Sequence, residues 1–420
     1  MRAIAALLLT LLSCTAATGA QPAGQPATPP SDIRFVVIVS RHGVRSPTDP
    51  NELSPYAARS WPAWEVPPGN LTPHGATLMT SFGASYRSLY ASAGLLPATE
   101  CPAADALYVW ADIDQRTLAS ASALLDGIAP KCGLIVQHSG ETVDPLFHAL
   151  PSVGTADAAT AAASLEGSIG LNPGPIVAAY GLAFAELDGI LGCTNGACSK
   201  ISTVATTLRP NAKTGLVSVE GAVDLASTAV EDFVLAYADG KPASDVGWGA
   251  IGSRTLLELS QLHTLKSLLT SESPYASRVQ GSNLLAHVLA TIDQGATGSR
   301  NEKTRAPLAA RLVAFIGHDS NLEALAGILR LRWLMPGYQL NDTPPGGALV
   351  IEVHRPKTTG EPVVRVFFTA QTLEQMRSLS KDAPARVPVF VPGCPTLDCP
   401  LTTFDRIANA AIDPAFVGHW

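Results

Sequence analysis

The chain has 420 residues, of which 46% are hydrophobic and 15% charged, and its formal net charge is -7 at pH 7. This length accommodates one large domain or two ordinary ones, each with a sizeable core. The acidic balance argues against a nucleic-acid-binding protein, which would normally carry a basic patch or stripe. An anionic substrate would have to be attracted by local arginines, because the overall field repels it.

The amino terminus predicts an export signal, and therefore a periplasmic or secreted protein. Arg2 supplies the positive start, residues 4–12 form an apolar run too short to span a bilayer, and small residues up to Ala20 fit a cleavage site. Lipidation of Cys14 is the alternative, which we disfavour because the apolar run before it is very short. Residues 21–31 are rich in Pro, Ala and Gln and predict a disordered lead-in. No later apolar run is long enough for a membrane helix.

The cysteine content also fits an exported protein. Removal of the predicted signal would leave six cysteines, namely Cys101, Cys132, Cys193, Cys198, Cys394 and Cys399. An even number in an exported chain favours disulfides. Cys193 with Cys198, and Cys394 with Cys399, would each close a short loop. That leaves Cys101 to pair with Cys132. Free buried thiols suit an oxidising compartment less well, and the absence of a Cys-x-x-Cys pair argues against zinc.

The first half of the chain predicts alternating strands and helices, followed by a helical stretch. Residues 35–39 form a β-branched and aromatic run typical of a strand buried on both faces. Thr72 followed by Pro73 predicts the start of a helix. Residues 106–111 predict a second buried strand. The region from 151 to 295 is rich in Ala, Leu and Ser at helical spacing and predicts a mainly helical insertion.

Strand-helix alternation returns after the insertion. Residues 312–316 predict a third buried strand, and the apolar positions that follow, from Leu322 to Leu329, fall on one face of a helix. Residues 348–353 and 363–368 predict a hairpin. Both ends of the chain therefore predict one α/β domain, with a central mixed, largely parallel sheet flanked by helices and a smaller helical inserted domain. The predicted divisions are a signal peptide over 1–20, a lead-in over 21–31, an α/β domain over 32–150 and 296–420, and a helical domain over 151–295.

The strongest candidate for chemistry follows the first predicted strand. Residues 41–48 read Arg-His-Gly-Val-Arg-Ser-Pro-Thr, which places His42 between Arg41 and Arg45 at the carboxyl end of a buried strand. Open α/β sheets bind ligands there, and two guanidiniums suit the oxygens of a phosphate. Flanking positive charge lowers the pKa of an imidazole, so the neutral ring could act as a nucleophile. The alternative is a core histidine between arginines in surface salt bridges.

Two further candidates follow the other predicted strands. His318 and Asp319 stand at a predicted helix start, where anions are favoured, so His318 could bind a phosphate oxygen and Asp319 could be a general acid. The alternative is that Asp319 is a plain N-cap. Arg116 also stands just past a strand and could be a third arginine for the phosphate, or could pair with Asp112 or Asp114.

The remaining histidines show no metal-ligand spacing such as His-Glu-x-x-His, and each is interpreted as structural or solvent-exposed. They are His74, His138, His148, His263, His287, His354 and His419. The sequence also contains no P-loop, no Gly-x-Ser-x-Gly and no dinucleotide fingerprint. We therefore expect no metal or other cofactor.

These motifs resemble those of the histidine acid phosphatases, a branch of the histidine phosphatase superfamily that includes bacterial periplasmic phytases and glucose-1-phosphatases. The resemblance covers nearly the whole mature chain, and the cysteine arrangement is similar too. Its anchors are residues 41–48, 111–117 and 317–322, with further likeness over 341–347 and 371–377. It implies an α/β domain with a smaller helical domain and an active site in the cleft between them.

The resemblance also implies a role for each candidate residue. His42 would be the nucleophile that forms a phosphohistidine, and Asp319 would protonate the leaving-group oxygen, without a metal. Other residues would hold the phosphate or line its pocket: Arg41, Arg45, Thr48, Arg116 and His318. The implied substrates are small phosphate monoesters, either sugar phosphates or inositol phosphates.

One residue departs from the family pattern. Bacterial phytases of this type typically carry a lysine after the motif threonine, whereas this chain has Asp49. An acidic rim would repel a multiply charged inositol phosphate, which leaves the substrate open. A mutase shares the Arg-His-Gly start, but export and the His-Asp pair argue against it. A periplasmic phosphate-ester-binding protein without turnover is the other alternative, although binding alone requires neither His42 nor Asp319.

Overall fold

The computed structural model of the protein describes residues 31–170, 172–193, 196–211 and 214–418. The predicted signal peptide, the alternative lipidation site Cys14 and almost all of the predicted lead-in lie outside the described residues, as does His419. Across the described part of the chain, no helix is both long and apolar enough to cross a membrane.

Strands and helices alternate at both ends of the described chain, with mostly helices between them. The strands are β1 (Ser31–Arg41), β2 (Leu107–Ala111), β3 (Gln137–His138), β4 (Thr207–Pro210), β5 (Val217–Glu220), β6 (Leu312–Gly317), β7 (Ala348–Pro356), β8 (Val363–Ala370), β9 (Ala385–Val389) and β10 (Cys399–Pro400). The α-helices are α1 (Pro73–Ser92), α2 (Gln115–Ile128), α3 (Ala158–Ile169), α4 (Gly174–Ala179), α5 (Gly181–Leu191), α6 (Ala222–Ala238), α7 (Ser253–Leu269), α8 (Pro274–Thr297), α9 (Asp319–Leu329), α10 (Leu373–Arg377) and α11 (Leu401–Ala411).

The main sheet is mixed, which confirms the predicted α/β fold. Its strand order is β10-β8-β7-β1-β6-β2-β3, with β9 also paired to β8. The pairs β1–β6, β6–β2 and β2–β3 are parallel. From β1 outward through β7 and β8 the pairing is antiparallel. The parallel half therefore brings the carboxyl ends of β1, β6 and β2 to one edge.

Strand β1 is buried on both faces, as its apolar run predicts. Phe35, Val37 and Val39 belong to the larger core cluster, which contains residues of α5 to α9. Val36 and Ile38 belong to a second cluster, which contains residues of α1 and α2. Because successive side chains of a strand point to opposite faces, a continuous apolar run is needed where helices cover both sides of a sheet.

The other predicted elements are also present. Helix α1 begins at Pro73, and its first turn is capped by Thr72, whose Oγ1 accepts a hydrogen bond from the Gly75 amide at 2.8 Å. Strands β7 and β8 form the predicted antiparallel hairpin. The region from 151 to 295 contains α3 to α8 and is mainly helical. It also contains the antiparallel pair β4–β5, which the sequence analysis did not predict. Its division into a separate domain stays a prediction.

The three predicted disulfides are present in the structure. Cys101 is bonded to Cys132. The other two pairs each close a loop with a sequence separation of five residues, Cys193 with Cys198 and Cys394 with Cys399.

Candidate active site

The candidate residues meet at the carboxyl ends of three adjacent strands. The His42 amide donates to the Gly317 carbonyl at 2.9 Å, which continues the parallel pairing of β1 and β6 into the motif. The Asp112 amide donates to the Ile316 carbonyl at 3.0 Å, which does the same for β2 and β6. These main-chain bonds place the three segments that follow the strands side by side, at the edge where open α/β sheets bind ligands.

His42 is buried and is held in one tautomer. Its Nδ1 lies 2.8 Å from the carbonyl oxygen of Gly43. Because a carbonyl can only accept, Nδ1 must carry the hydrogen, and the lone pair of the neutral ring is then on Nε2. Burial and the guanidiniums of Arg41 and Arg45 hold the pKa of His42 well below its ordinary value. The ring is therefore neutral, with Nε2 available as a nucleophile.

The glycine of the motif is required by close packing against α1. A Cβ at Gly43 would lie 2.8 Å from Cγ of Met79 and 3.2 Å from the Gly75 carbonyl oxygen. The Gly43 amide donates to Ser120 Oγ of α2 at 2.9 Å. Two helices thus fix the main chain directly after His42, and a side chain at position 43 would push it away from them.

Arg41 is one of the most deeply buried charged residues, with 1% of its surface exposed. Its Nη1 donates to the Thr343 carbonyl at 2.7 Å. Its Nη2 donates to Glu231 Oε1 and lies 3.1 Å from Asp319 Oδ2. A buried guanidinium needs such partners because an isolated charge in the interior is very costly. The interpretation of this arginine as a surface salt-bridge residue is therefore wrong.

Glu231 of α6 is a site residue that the sequence analysis missed. It pairs with Arg41, and its Oε1 lies 3.6 Å from Nη2 of Arg45. Although burial favours the neutral acid, Arg41, His263 and Arg45 keep the pKa of Glu231 below its ordinary value. A signal for it existed, since Glu231 and Asp232 interrupt the apolar run 229–236. Acidic residues within an apolar run are expected to be buried and paired.

Asp319 is the first residue of α9, and His318 occupies the N-cap position. The alternative role of Asp319 as a plain N-cap therefore does not describe the structure. Burial alone would favour the neutral acid, but the guanidinium of Arg41, followed by His263, holds the pKa of Asp319 well below its usual range. In the unliganded site this carboxyl is therefore ionised.

His318 and Arg116 are in direct contact across the strand ends. Arg116 Nη2 lies 2.8 Å from His318 Nε2, and Asp114 Oδ2 lies 3.0 Å from the same nitrogen. Arg116 also pairs with Asp114 at 2.6 Å, as one alternative for this arginine predicted. The His42 and His318 rings pack edge to face, with centroids 5.6 Å apart. Arg116 thus contacts the ring that packs against the candidate nucleophile, while it keeps its own carboxylate partner.

The arginines of the site keep a donor unused. The Nε atoms of Arg41, Arg45 and Arg116 are buried and have no hydrogen-bond partner among the described residues. Arg87 and Arg386 share this feature elsewhere in the chain. What distinguishes the site is that Arg41 and Arg45 act on His42, and that Arg116 contacts His318, whose ring packs against that of His42. Buried donors without partners are uncommon, and an anion with several oxygens would satisfy them.

Asp112 and His148 lie next to His318. The sequence analysis considered Asp112 as a partner of Arg116, but the carboxylate paired with that arginine is Asp114. Asp112 is fully buried, and its Oδ2 lies 2.7 Å from His148 Nε2 and 3.4 Å from His318 Nδ1. His148 was interpreted as structural or solvent-exposed, and its side chain is 41% exposed. No short motif in the sequence marks Asp112, His148 and His318 as a group, because two of them follow different strands and His148 lies in a loop.

These three side chains bring one donor atom each within 4.8 Å of one another, a spacing a metal ion could use. Their contacts have another explanation, since the Asp112 carboxylate accepts a hydrogen bond from His148. A divalent cation there would also be close to the positive Arg116 beside His318, which opposes it. We therefore assign none of the three as a metal ligand.

The end of the motif forms an exposed rim. Thr48 and Asp49 are both exposed. A Cβ at Gly69 would lie 3.5 Å from Thr48 Cγ2 and 3.7 Å from Arg116 Nη1, so Gly69 lies between these two side chains. Asp49 Oδ1 accepts a hydrogen bond from the Asn51 amide at 2.9 Å. The rim thus adjoins Arg116 and carries a negative charge next to Thr48.

Comparison with known proteins agrees with this geometry. The family model described as the histidine phosphatase superfamily (branch 2) matches residues 32–168 and 211–369. Phytase AppA of Escherichia coli is 32% identical, over 98% of this chain and 99% of that protein. A glucose-1-phosphatase of Salmonella typhimurium is 28% identical, over 90% of this chain and 92% of that protein.

A solved structure is similar over almost the whole fold. The Hafnia alvei phytase in complex with tartrate superposes with a TM-score of 0.86 and is 33% identical, covering 94% of this chain and 100% of that one. With the family model and the site geometry, this match shows that this chain belongs to branch 2 of the histidine phosphatase superfamily.

Proposed function

We propose that the protein is a phosphatase that hydrolyses phosphate monoesters through a phosphohistidine on Nε2 of His42. The observation that carries this proposal is the state of His42, a buried neutral ring whose Nδ1 is committed to the Gly43 carbonyl. Nε2 is the remaining ring nitrogen, and the arginines around it have unused donors. A nucleophile beside fixed cations suits attack on an anionic phosphate, because the cations stabilise the charge that develops in the transition state.

The first step transfers the phosphoryl group to the enzyme. Arg41, Arg45, Arg116 and His318 hold the phosphate oxygens while Nε2 of His42 attacks phosphorus. The bond to the ester oxygen breaks, and Asp319 donates a proton to that oxygen. In the second step a water molecule attacks the phosphohistidine and gives its proton back to Asp319. Phosphate leaves, and the neutral imidazole is restored.

The substrates in this proposal are sugar phosphates or inositol phosphates. Similar proteins include a phytase and a glucose-1-phosphatase, and their names supply this substrate class. Thr48 lines the pocket rim beside Arg116, and the negative Asp49 next to it favours esters with few additional phosphates. Export to the periplasm or beyond is part of the proposal, and it rests on the predicted signal and the three disulfides.

Trapping the phosphoenzyme tests the proposal. The protein is mixed with radiolabelled p-nitrophenyl phosphate and quenched rapidly, and the labelled protein is tested for an acid-labile, alkali-stable phosphoryl bond. We expect this label on the wild type and on His138→Ala, whose histidine is exposed at the edge of the sheet. His42→Ala should show neither label nor turnover, because no other side chain replaces a covalent nucleophile. Turnover by a folded His42→Ala protein would refute the proposal.

A further inference from the structure

Glu323 is a buried carboxyl next to the proposed acid, and the two steps above do not use it. It lies on α9, four residues after Asp319, and 5% of its surface is exposed. Residues four apart in a helix share a face, and their side chains lean toward the helix amino terminus. The Glu323 carboxyl therefore lies on the same side of α9 as Asp319, whose negative charge acts on it.

Helix α7 presents a matching pair of residues to these two carboxyls. His263 and Ser267 are also four residues apart, and Ser267 Oγ lies 2.5 Å from Glu323 Oε1. His263 acts electrostatically on both Asp319 and Glu323. Its Nδ1 contacts Ser227 Oγ at 2.9 Å, whereas its buried Nε2 has no hydrogen-bond partner among the described residues.

The hydrogen bonds of Ser267 indicate which state of Glu323 fits the site. Ser267 Oγ lies 3.3 Å from the His263 carbonyl oxygen as well as 2.5 Å from the Glu323 carboxyl. The hydroxyl has one hydrogen, and both neighbours are acceptors if Glu323 is ionised. Both contacts are satisfied together when Glu323 carries a proton and donates it to Ser267. Glu323 also forms no ion pair among the described residues, and a buried charge without a partner is unfavourable.

The charges around the two carboxyls favour the same state. Burial and the negative charge of Asp319 raise the pKa of Glu323 to about 7. His263 lowers the pKa of Glu323, as does Ser267 when its hydroxyl donates to the carboxylate, and Glu272 after α7 raises it. The two effects that lower the pKa are outweighed by burial and Asp319. Asp319 is instead kept ionised, chiefly by Arg41. The other titratable or charged groups that act on Asp319 or on the Arg41 beside it are His42, His318, Arg116, Glu231 and Asp342. Below about pH 7 the two carboxyls therefore hold one proton, which is on Glu323.

We infer that Glu323 is a positioning residue that stores the proton with which Asp319 protonates the leaving group. The inference rests on the proposed function, and it resolves a difficulty in it, since Asp319 is ionised before substrate binds. A bound phosphate takes up the positive charge of Arg41, so Asp319 then gains a proton from Glu323. As phosphorus bonds to His42, Asp319 passes that proton to the ester oxygen. The proton released by the attacking water returns to Asp319 and then to Glu323.

The decisive variant is Glu323→Gln, which keeps the size of the side chain but cannot supply the proton. The matched control is Glu272→Gln, which changes a glutamate whose side chain is 6% exposed and pairs with Arg332. Glu272 is not among the groups that shift the pKa of Asp319. We measure kcat/KM for glucose 1-phosphate and p-nitrophenyl phosphate across the pH range. The sugar is a poor leaving group that needs an acid, whereas nitrophenolate leaves without one.

In Glu323→Gln we expect kcat/KM for glucose 1-phosphate to fall by ~10²-fold, the contribution of a positioned acid, and that for p-nitrophenyl phosphate to fall much less. The alkaline limb for glucose 1-phosphate should move from about pH 7 in the wild type to lower pH. Glu272→Gln should leave the ratio of the two substrates unchanged. It should move this limb far less than Glu323→Gln does, because Glu272 makes the smallest of the contributions that raise the pKa of Glu323. An equal fall for both substrates, or an unmoved limb, would overturn the inference.

Infrared spectroscopy of the unliganded protein tests the stored proton without activity. Below pH 7 the wild type should show a carbonyl stretch of a buried protonated carboxyl that is missing in Glu323→Gln, persists in Glu272→Gln and is shifted in Ser267→Ala. Lack of this band in the wild type would overturn the inference. Failure of the proposed function looks different, because no phosphoenzyme would then be trapped from p-nitrophenyl phosphate in the wild type. If only the inference fails, the phosphoenzyme still forms.

Discussion

Glu231→Gln should destabilise the protein because it removes the buried counter-ion of two arginines. Removing one partner of a buried ion pair typically costs about 3–5 kcal/mol. Arg41 would keep Asp319 at 3.1 Å and the Thr343 carbonyl at 2.7 Å, so we expect the lower end, about 3 kcal/mol. Arg45 loses a carboxylate at 3.6 Å, which adds less because its partner is more distant.

The matched control is Glu220→Gln, which makes the same chemical change in an exposed ion pair. Glu220 pairs with Arg209 at 2.9 Å, and their side chains are 52% and 64% exposed. Exposed pairs contribute ~0–1 kcal/mol. The free energy of unfolding is measured by urea denaturation with the disulfides intact, and the free energies of the two variants are compared with that of the wild type.

Added inorganic phosphate separates a loss of charge balance from a simple packing defect. A ligand at 100 times its Kd stabilises a protein by about 2.7 kcal/mol. Phosphate should stabilise Glu231→Gln more than the wild type at the same concentration. In the variant the anion replaces the lost negative charge beside Arg41 and Arg45, and it is no longer repelled by the Glu231 carboxylate. Glu231 is not the counter-ion of this site if Glu231→Gln and Glu220→Gln lose the same free energy of unfolding. The same conclusion follows if phosphate stabilises Glu231→Gln less than it stabilises the wild type.

Four further predictions concern the site and its rim. Asp319→Asn should slow glucose 1-phosphate hydrolysis by ~10²–10⁴-fold and p-nitrophenyl phosphate hydrolysis far less; equal slowing of both would contradict the acid role. Asp49→Lys should raise kcat/KM for phytate more than for a singly phosphorylated sugar, an effect that shrinks with added salt, and an equal change for both would remove the argument. Chelator treatment should leave turnover unchanged, since arginines supply the positive charge; loss restored by one divalent ion would refute this. The Asp112 carboxylate raises the pKa of His148 against the opposing effect of burial, so the pair stabilises the fold fully at acid pH and loses this contribution as pH rises through the raised pKa. His148→Asn should therefore cost more stability at acid than at alkaline pH in urea denaturation, and a cost independent of pH would contradict the pairing.

The sequence alone was sufficient where chemistry and secondary structure are encoded together. The apolar run of β1 ends directly at the Arg-His-Gly motif, and that of β6 ends directly at His318 and Asp319. A continuous apolar run predicts a strand of a covered sheet, and such sheets bind ligands at their carboxyl ends. The residues of both motifs could therefore be placed at one edge of the sheet before the structure was known. Their local order along the chain carries that information.

The residues that set the charge state of the site come from distant segments, and only the tertiary structure brings them there. Glu231 is 190 residues from Arg41, and His263 and Glu323 lie on different helices. The sequence marks such acids as unusual within apolar helices, but it does not say which cation, if any, each one meets. Partners are decided by how α6, α7 and α9 pack on the sheet. Because the pKa of a buried group depends on its neighbours in space, the acid-base chemistry of this site is a property of the packed fold.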